Sequence, residues 1–312
     1  MDYAPICVFT FKRYDHTVRT LEALSANIYA KQSDLFIFCD NWKKEIDRAS
    51  VEQVRGFVKE FKERNLFKST TVVFADMNKG LAKSIISGVT EVIEKYGKVI
   101  VFEDDLLTTR GCLEYFNACL DYYKDNVNIW SISGYSFPMT SLSNYPQDIY
   151  LSYRGSSWGW ATWKDRWETV DWEVSDYNSF KINPFLRKKF ARGGNDMPAM
   201  LDRQMNHFID SWAIRWCYSQ WKQEKYTIFP KESRIYNMGL DGTGTHGGKT
   251  TKFNTQLAKD ESIHLENVVI NKKICDEFKK KYDVPLFKCC LSYIKNNILH
   301  TKYLNPNRYR KK

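Results

Sequence analysis

The sequence predicts an α/β fold, in which helices flank a mainly parallel central sheet. Apolar, β-rich runs of strand length recur through the first part of the chain, and between them lie stretches with apolar residues at three- and four-residue spacing. The composition of the 312 residues, 43% hydrophobic and 27% charged, is that of a globular protein. Alternating β and α units favour parallel strands joined by right-handed crossovers.

Each element rests on a local pattern. The continuous apolar runs predict strands at Ile6–Phe11, Leu35–Cys39, Thr70–Ala75 and Val99–Phe102. The helical spacing of apolar residues predicts helices over His16–Ala30, Val51–Phe61 and Leu81–Tyr96. Lys79-Gly80 supplies the loop before the last of these helices.

The net charge of +10 is concentrated at the C-terminal end of the chain. Residues 272–312 hold twelve Lys or Arg against three acids, so the rest of the chain is nearly neutral. A protein core that binds nucleic acid spreads Lys and Arg over its binding face, so we expect no nucleic-acid partner. We therefore divide the chain into a body, 1–270, and a basic helical tail, 271–312.

The tail has a helical pattern of its own. Phe287, Leu291, Ile294 and Ile298 share one helical face, and no acid follows Asp283. This pattern is typical of an amphipathic segment that contacts an anionic membrane surface. It also fits a C-terminal helix packed on the body and followed by a solvated charged end.

Cysteine usage and the absence of a leader favour a cytoplasmic protein. The eight Cys include no C-x-x-C pair, and Cys7 and Cys39 lie inside apolar runs, which favours reduced core thiols. No basic-then-apolar leader opens the chain, and Ile6–Phe11 is too short to span a membrane. We expect a cytoplasmic protein, with peripheral contact on the inner face of the membrane through its tail.

Polar residues follow the predicted strands, at the sheet edge where α/β proteins bind ligands. Three consecutive acids repel one another and need a cation, so Glu103-Asp104-Asp105 predicts a metal site, whereas a single Asp such as Asp76 is commonly a loop residue or helix cap. Arg13 and Lys83 could meet phosphates, and Asp40 could accept a hydrogen bond from a base or ribose. The strand ends are Lys12-Arg13, Asp40-Asn41, Asp76 and Glu103-Asp104-Asp105.

Several segments resemble GT-A nucleotide-sugar glycosyltransferases: Pro5–Arg13, Asn78–Leu81 and Phe102–Asp105. The Glu-Asp-Asp triplet is similar to that of the N-acetylglucosaminyltransferase that starts complex N-glycan antennae, and we expect a bacterial relative of it. Pro230–Arg234 and the glycine-rich residues Gly242–Gly247 resemble that family's Pro-Glu-x-Ser-Arg and the loop after it. The resemblance covers about residues 5–250.

This resemblance implies an inverting transfer from a nucleotide sugar, most simply a UDP-sugar, to a glycan or lipid-linked acceptor. A divalent ion, Mn²⁺ or Mg²⁺, would be held by Asp105, while Glu103 and Asp104 would contact the donor's ribose or sugar hydroxyls. Thr10 and Gly80 would belong to the donor site. The donor half would be about 1–110 and the acceptor half about 111–270.

The catalytic base is where the chain departs from the family. The family's base is the Asp just before the second Trp of a Trp-Asp-Asp-Trp sequence, whereas here Ser211 precedes Trp212. The role therefore falls to Asp210 or lies elsewhere.

The acceptor site is predicted from the tryptophans. Eight of the ten Trp fall between 158 and 221, and Trp158 and Trp160 flank Gly159. Indole faces stack on sugar rings, so both side chains either contact the acceptor or belong to the core. Trp212 and Trp216, four residues apart with Phe208, are typical of a core stripe.

His246 lies in a glycine-rich loop, with five glycines between Gly239 and Gly248. It is either a second ligand of the metal or diphosphate, or a solvated loop residue.

Two other classes remain as alternatives. A sugar-phosphate nucleotidylyltransferase shares the sheet but would carry a glycine-rich loop right after the first strand, where this chain reads Thr10-Phe11-Lys12-Arg13-Tyr14. A non-enzymatic glycan- or nucleic-acid-binding module would also be rich in basic and aromatic residues. The nearly neutral body and the acid triplet argue against the nucleic-acid form. From the resemblance we expect an enzyme, a metal-dependent GT-A glycosyltransferase that extends a surface polysaccharide or a similar glycan.

Overall fold

The computed structural model describes residues 2–242, 250–259 and 262–299 of the chain. Within these residues, eight strands form one central sheet and two form a small second sheet. The strands are β1 (Ile6–Thr10), β2 (Asp34–Cys39), β3 (Ser69–Phe74), β4 (Lys98–Glu103), β5 (Leu106–Thr108), β6 (Ile129–Ser133), β7 (Ile149–Ser152), β8 (Trp160–Trp163), β9 (Tyr226–Pro230) and β10 (Ile235–Asn237).

Helices connect and cover the strands. The α-helices of the described part are α1 (Tyr14–Ser25), α2 (Arg48–Glu63), α3 (Leu81–Tyr96), α4 (Cys112–Tyr122), α5 (Lys164–Trp167), α6 (Tyr177–Ile182), α7 (Pro184–Phe190), α8 (Met197–Met205), α9 (Trp212–Lys222), α10 (Lys272–Tyr282) and α11 (Leu286–Asn297).

The central sheet runs in the order β3-β2-β1-β4-β8-β6-β9-β7. The first four strands are parallel, β8 is antiparallel to both of its neighbours, and β9 is parallel to β6 and antiparallel to β7. Small β10 pairs with β5, which directly follows the acidic triplet. The predicted α/β fold with a mainly parallel sheet and flanking helices is thus confirmed.

Successive side chains of β1 pack against helices on opposite faces of the sheet, so the sheet lies between two layers of helices. Ile6 and Val8 belong to the core that includes residues of α1, α2 and α4, whereas Cys7 and Phe9 pack with residues of α3 and α9 on the opposite face. A strand buried on both faces is apolar at every position, which is the pattern that the sequence shows.

The predicted elements of the first half are all present, and their differences lie at the ends. α3 has the predicted bounds, and each of β1 to β4 differs from its prediction by one residue at one or both ends. The first helix runs from Tyr14 to Ser25 rather than from His16 to Ala30, because the chain turns at Ala26 and forms a separate 3-10 turn at Ala30–Gln32.

The first part of the predicted tail belongs to the folded body. α10 buries Ile274, Cys275 and Phe278, and the ring of Phe278 packs 5.0 Å from that of Phe137 and 5.1 Å from that of Phe229. The basic segment therefore does not separate from the body at residue 271. None of the described helices is long and apolar enough to cross a membrane.

Candidate active site

The ends of three neighbouring parallel strands meet at one edge of the sheet. Thr10 at the end of β1 pairs with Cys39 at the end of β2, and Phe9 pairs with Glu103 at the end of β4. Adjacent strands lie about 4.8 Å apart, so the segments after β2 and β4 are roughly 10 Å apart across this edge. Asp40 and the acidic triplet consequently lie on either side of buried Thr10.

Asp40 holds the turn that leads into α3. One carboxylate oxygen, Oδ1, accepts from the backbone N–H of Asn41 and of Lys79, each at 2.8 Å. The other, Oδ2, accepts from the Gly80 N–H at 2.9 Å and from Asn78 Nδ2 at 3.0 Å. Gly80 has a φ of 76°, which favours glycine, and it carries no capping side chain, so the buried carboxylate sets the entry to the helix.

These bonds use the acceptor capacity of the Asp40 carboxylate, which has about four lone-pair sites. In the structure Asp40 positions the turn. The predicted contact with a base or ribose would require one of the four hydrogen bonds to be exchanged.

Arg13 is in contact with two members of the acidic triplet. Its guanidinium donates to Asp104 Oδ1, and its Nη2 lies 2.9 Å from Asp105 Oδ2. Burial disfavours the charge of Arg13, but the carboxylates of Asp104 and Asp105 raise its pKa above the ordinary value. Arg13 therefore stays a cation that partly neutralises the triplet.

The triplet still carries more negative charge than Arg13 compensates. Burial raises the pKa of Glu103 to about 8, and the charges of Asp105 and Asp104 add to this effect. Burial also raises the pKa of Asp104, although Arg13 opposes the shift. Another cation beside these carboxylates would favour their ionised forms.

Gly239 packs directly against the carboxylate of Asp105. A Cβ on Gly239 would lie 2.0 Å from Asp105 Oδ2 and 3.1 Å from Arg13 Nη1, and the N–H of Met238 donates to the Asp105 carbonyl at 2.8 Å. We had not predicted Gly239 as a site residue. The signal that could have indicated it is its place at the start of the glycine-rich loop.

The acidic triplet offers few protein ligands for a metal ion. Within residues 2–242, 250–259 and 262–299, no group of three His, Cys, Asp or Glu is arranged to hold a metal ion. Mg²⁺-type sites, however, often use one or two carboxylates and complete their coordination with water and substrate phosphates. Asp105, with excess negative charge around it, would contribute one carboxylate to a site of that kind.

Asp210 reaches the same edge from the connection between α8 and α9. Its Oδ2 is 3.7 Å from the position that a Cβ on Gly80 would occupy, and its Oδ1 is 3.7 Å from Arg215 Nη2. The side chain is 64% exposed, so its carboxylate can be reached by an incoming group. Ser211 accepts from the Ile214 N–H as the N-cap of α9, which gives Ser211 a structural role.

Trp158 lies near the triplet because β8 runs antiparallel to β4. Trp160 pairs with Val101, which places the preceding Gly159 and Trp158 toward the end of β4. Partly exposed Trp158 meets the rings of Tyr135 and Phe253 edge-on, at 4.7 Å and 5.6 Å.

Trp158 lines a pocket of about 160 Å³. Arg154 in its wall forms a bidentate pair with Asp196, at 2.7 Å and 3.0 Å, and stacks 3.9 Å from the centroid of the Tyr282 ring. The charge of Arg154 is thereby compensated, and the pocket offers mainly aromatic and apolar surface. Other lining residues are Met200, Cys217 and Phe253.

Trp160 lies in the core, which is the second of the two alternatives for this side chain. Its side chain is 1% exposed and packs against the rings of Trp212 at 5.0 Å and Trp216 at 5.5 Å. Trp160 belongs to a strand, so its side chain points into the layer between the sheet and α9. Trp212 and Trp216 are buried in the same cluster, as predicted for a core stripe.

Lys83 and His246 are the remaining residues that the sequence predicts for the site. Lys83 is exposed in the first turn of α3, after the turn that Asp40 holds. His246 lies outside the described residues. The structure thus brings Thr10, Arg13, Asp40, Gly80, Glu103, Asp104, Asp105 and Asp210 to one sheet edge.

No family model and no curated protein matches the sequence. Among solved structures, the chain is similar to S. aureus TarS, with a TM-score of 0.46 and 10% identity over 77% of this chain and 37% of that one. It is also similar to mouse xyloside xylosyltransferase 1 in its apo form, with a TM-score of 0.36 and 12% identity over 73% and 84% of the two chains. The chain spans little more than a third of TarS, and likenesses this low do not extend either protein's activity to it.

Proposed function

We propose that this chain is a metal-dependent glycosyltransferase that moves a sugar, with inversion, from a UDP-sugar to a glycan hydroxyl. The observation that carries the proposal is the convergence of three groups at one edge of a parallel sheet. They are the acidic triplet bound by Arg13, the turn held by Asp40, and the exposed carboxylate of Asp210. Ligands of open α/β sheets bind at this edge.

On the donor side, the N-terminus of the 16-residue helix α3 and the exposed Lys83 are suited to the diphosphate. Glu103, whose pKa is raised by burial, is suited to contact a hydroxyl of the donor's sugar or ribose. Asp104 accepts from Arg13 and fixes the guanidinium beside Asp105. A bound Mn²⁺ or Mg²⁺ at Asp105 would supply positive charge for the departing diphosphate.

On the acceptor side, Asp210 removes the proton from the acceptor hydroxyl while its oxygen attacks the anomeric carbon of the donor. The bond from that carbon to the diphosphate oxygen breaks on the opposite face, which inverts the configuration. Trp158 and the aromatic pocket next to it would bind the apolar face of an acceptor sugar ring. The acceptor is a growing surface polysaccharide or a lipid-linked glycan on the cytoplasmic side of a membrane.

The experiment is a thermal-shift panel of nucleotide sugars, with and without Mn²⁺, followed by an assay of nucleotide release. We expect at least one UDP-sugar to raise the melting temperature in the presence of metal, because a ligand that binds the folded state stabilises it. Asp105→Ala should abolish metal-dependent release, while Asp76→Ala, at an exposed strand end, should retain it. Full release by the Asp105 variant in chelator would contradict the metal role.

The variant Asp210→Asn tests whether Asp210 acts in the transfer step rather than in UDP binding. It should bind UDP with unchanged affinity in calorimetry and should lose transfer. Loss of UDP binding would remove Asp210 from the role of base. Release of pyrophosphate from a nucleoside triphosphate and a sugar phosphate would instead favour the nucleotidylyltransferase alternative.

A further inference from the structure

The apolar face of α11 points away from the protein body. Phe287 and Ile298 are each 62% exposed, Leu291 is 48% exposed and Ile294 is 41% exposed. These residues lie at i, i+4, i+7 and i+11, so they form one stripe along three turns of the helix. Single exposed apolar residues are common in proteins, but a continuous stripe marks an interaction surface.

Polar contacts on the other side of the helix hold it in this orientation. Asn297 Nδ2 donates to Asp202 Oδ2 at 2.8 Å, and Asn297 Oδ1 accepts from the Tyr177 hydroxyl at 3.0 Å. Asp202 is fully buried and is also bound by Arg187 through two hydrogen bonds of 2.8 Å. Turning the stripe inward would break this buried network, so the body itself does not cover the stripe.

Positive charge accompanies the stripe. Lys288 and Lys295 are seven residues apart and lie along one edge of the apolar face, and Lys280 is exposed on the preceding helix α10. The sequence after residue 299 adds five Lys or Arg and no acid. An apolar stripe with lysines at its edge is the arrangement of helices that lie in the interface of an anionic bilayer.

We propose that the apolar face of α11, with Lys288 and Lys295, docks this protein on an anionic lipid membrane. Charge complementarity selects this occupant over a neutral protein surface. The helix α8, which carries Asp202, also carries Met200 in the wall of the Trp158 pocket. Docking would therefore bring the pocket close to the bilayer, which suits a lipid-linked acceptor if the proposed function holds.

The test is sedimentation of the full chain with vesicles, without any donor present, so its result is independent of the proposed transfer. The wild-type protein should bind vesicles containing phosphatidylglycerol and should not bind pure phosphatidylcholine. The double variant Leu291→Glu/Ile294→Glu should bind at least about tenfold more weakly, since it removes apolar contact and adds repulsion. Val269→Glu, at an 81% exposed apolar residue outside the helix, is the matched control and should bind as wild type.

A second variant, Lys288→Glu/Lys295→Glu, keeps the apolar stripe and should lose most binding to anionic vesicles. Circular dichroism and melting curves verify that each variant is folded. Unchanged binding by both double variants would overturn the proposal. A wild-type dimer that the Leu291→Glu/Ile294→Glu variant dissociates, with no vesicle binding, would assign the face to a second copy of the chain and would also overturn it.

Discussion

Replacing Asp40 should weaken both the fold and the proposed donor site, because its carboxylate replaces a capping side chain at α3. Asp40→Ala removes four hydrogen bonds, three of them from backbone N–H groups that hold the turn from 78 to 80 and the chain after β2. The net value of such a bond is about 1 kcal/mol, and water can reach exposed Lys79 after the substitution. We therefore expect the free energy of unfolding to fall by about 2–4 kcal/mol.

The measurement is urea denaturation followed by fluorescence, with Asp76→Ala as the control at an exposed strand end. UDP binding by calorimetry should weaken as well, since the turn and the first turn of α3 lose their support. Asp40→Asn should lie between wild type and Asp40→Ala, because one oxygen remains as an acceptor. A stability of Asp40→Ala within about 0.5 kcal/mol of the control would refute the role given to this carboxylate.

Three other substitutions follow from the site and the core. Between its ordinary pKa of 4.5 and about 8, Glu103 keeps its proton in the folded state and loses it in the unfolded state. The free energy of unfolding should therefore fall as pH rises through this window, by at most about 1.4 kcal/mol per pH unit. Glu103→Gln should flatten that slope in denaturation measured from pH 5 to 9, and an unchanged slope would contradict the shifted pKa. Gly239→Ala should push the Asp105 carboxylate from its place and lower metal-dependent nucleotide release more than tenfold, with the melting temperature measured alongside. Normal release would show that the position of this carboxylate does not matter for the reaction. Trp160→Ala should lower the free energy of unfolding in urea by about 3–5 kcal/mol, because it empties a buried site. A variant of unchanged stability that lost only acceptor binding would instead indicate that Trp160 contacts the acceptor.

The parallel half of the sheet could be predicted from sequence because its strands are buried on both faces. Continuous apolar runs such as Val99–Phe102 admit few other structures, and the polar residues after them must then lie at a common edge. The position of the acidic triplet followed from this reasoning alone.

The second half of the sheet was not predictable in the same way. β8 joins the sheet in the antiparallel direction between β4 and β6, strands about 60 and 30 residues earlier, and no local pattern specifies such a pairing. For the same reason, composition could not separate Trp158 from Trp160. Trp158 precedes β8 and Trp160 is its first residue, so the start of the strand separates them, and one lines a pocket while the other is buried.

The buried tryptophans Trp160, Trp212 and Trp216 also support the proposed site. Trp212 and Trp216 fasten α9 to the sheet through Trp160, and Ser211 caps the same helix. Asp210 immediately precedes that capped turn, so the packing of the tryptophans determines where its carboxylate lies relative to Gly80. A catalytic base must be held within hydrogen-bond reach of its proton, and a large rigid aromatic cluster behind an exposed loop residue provides that constraint. The excess of tryptophan is therefore better explained as the support of the proposed base than as a surface for stacking sugars.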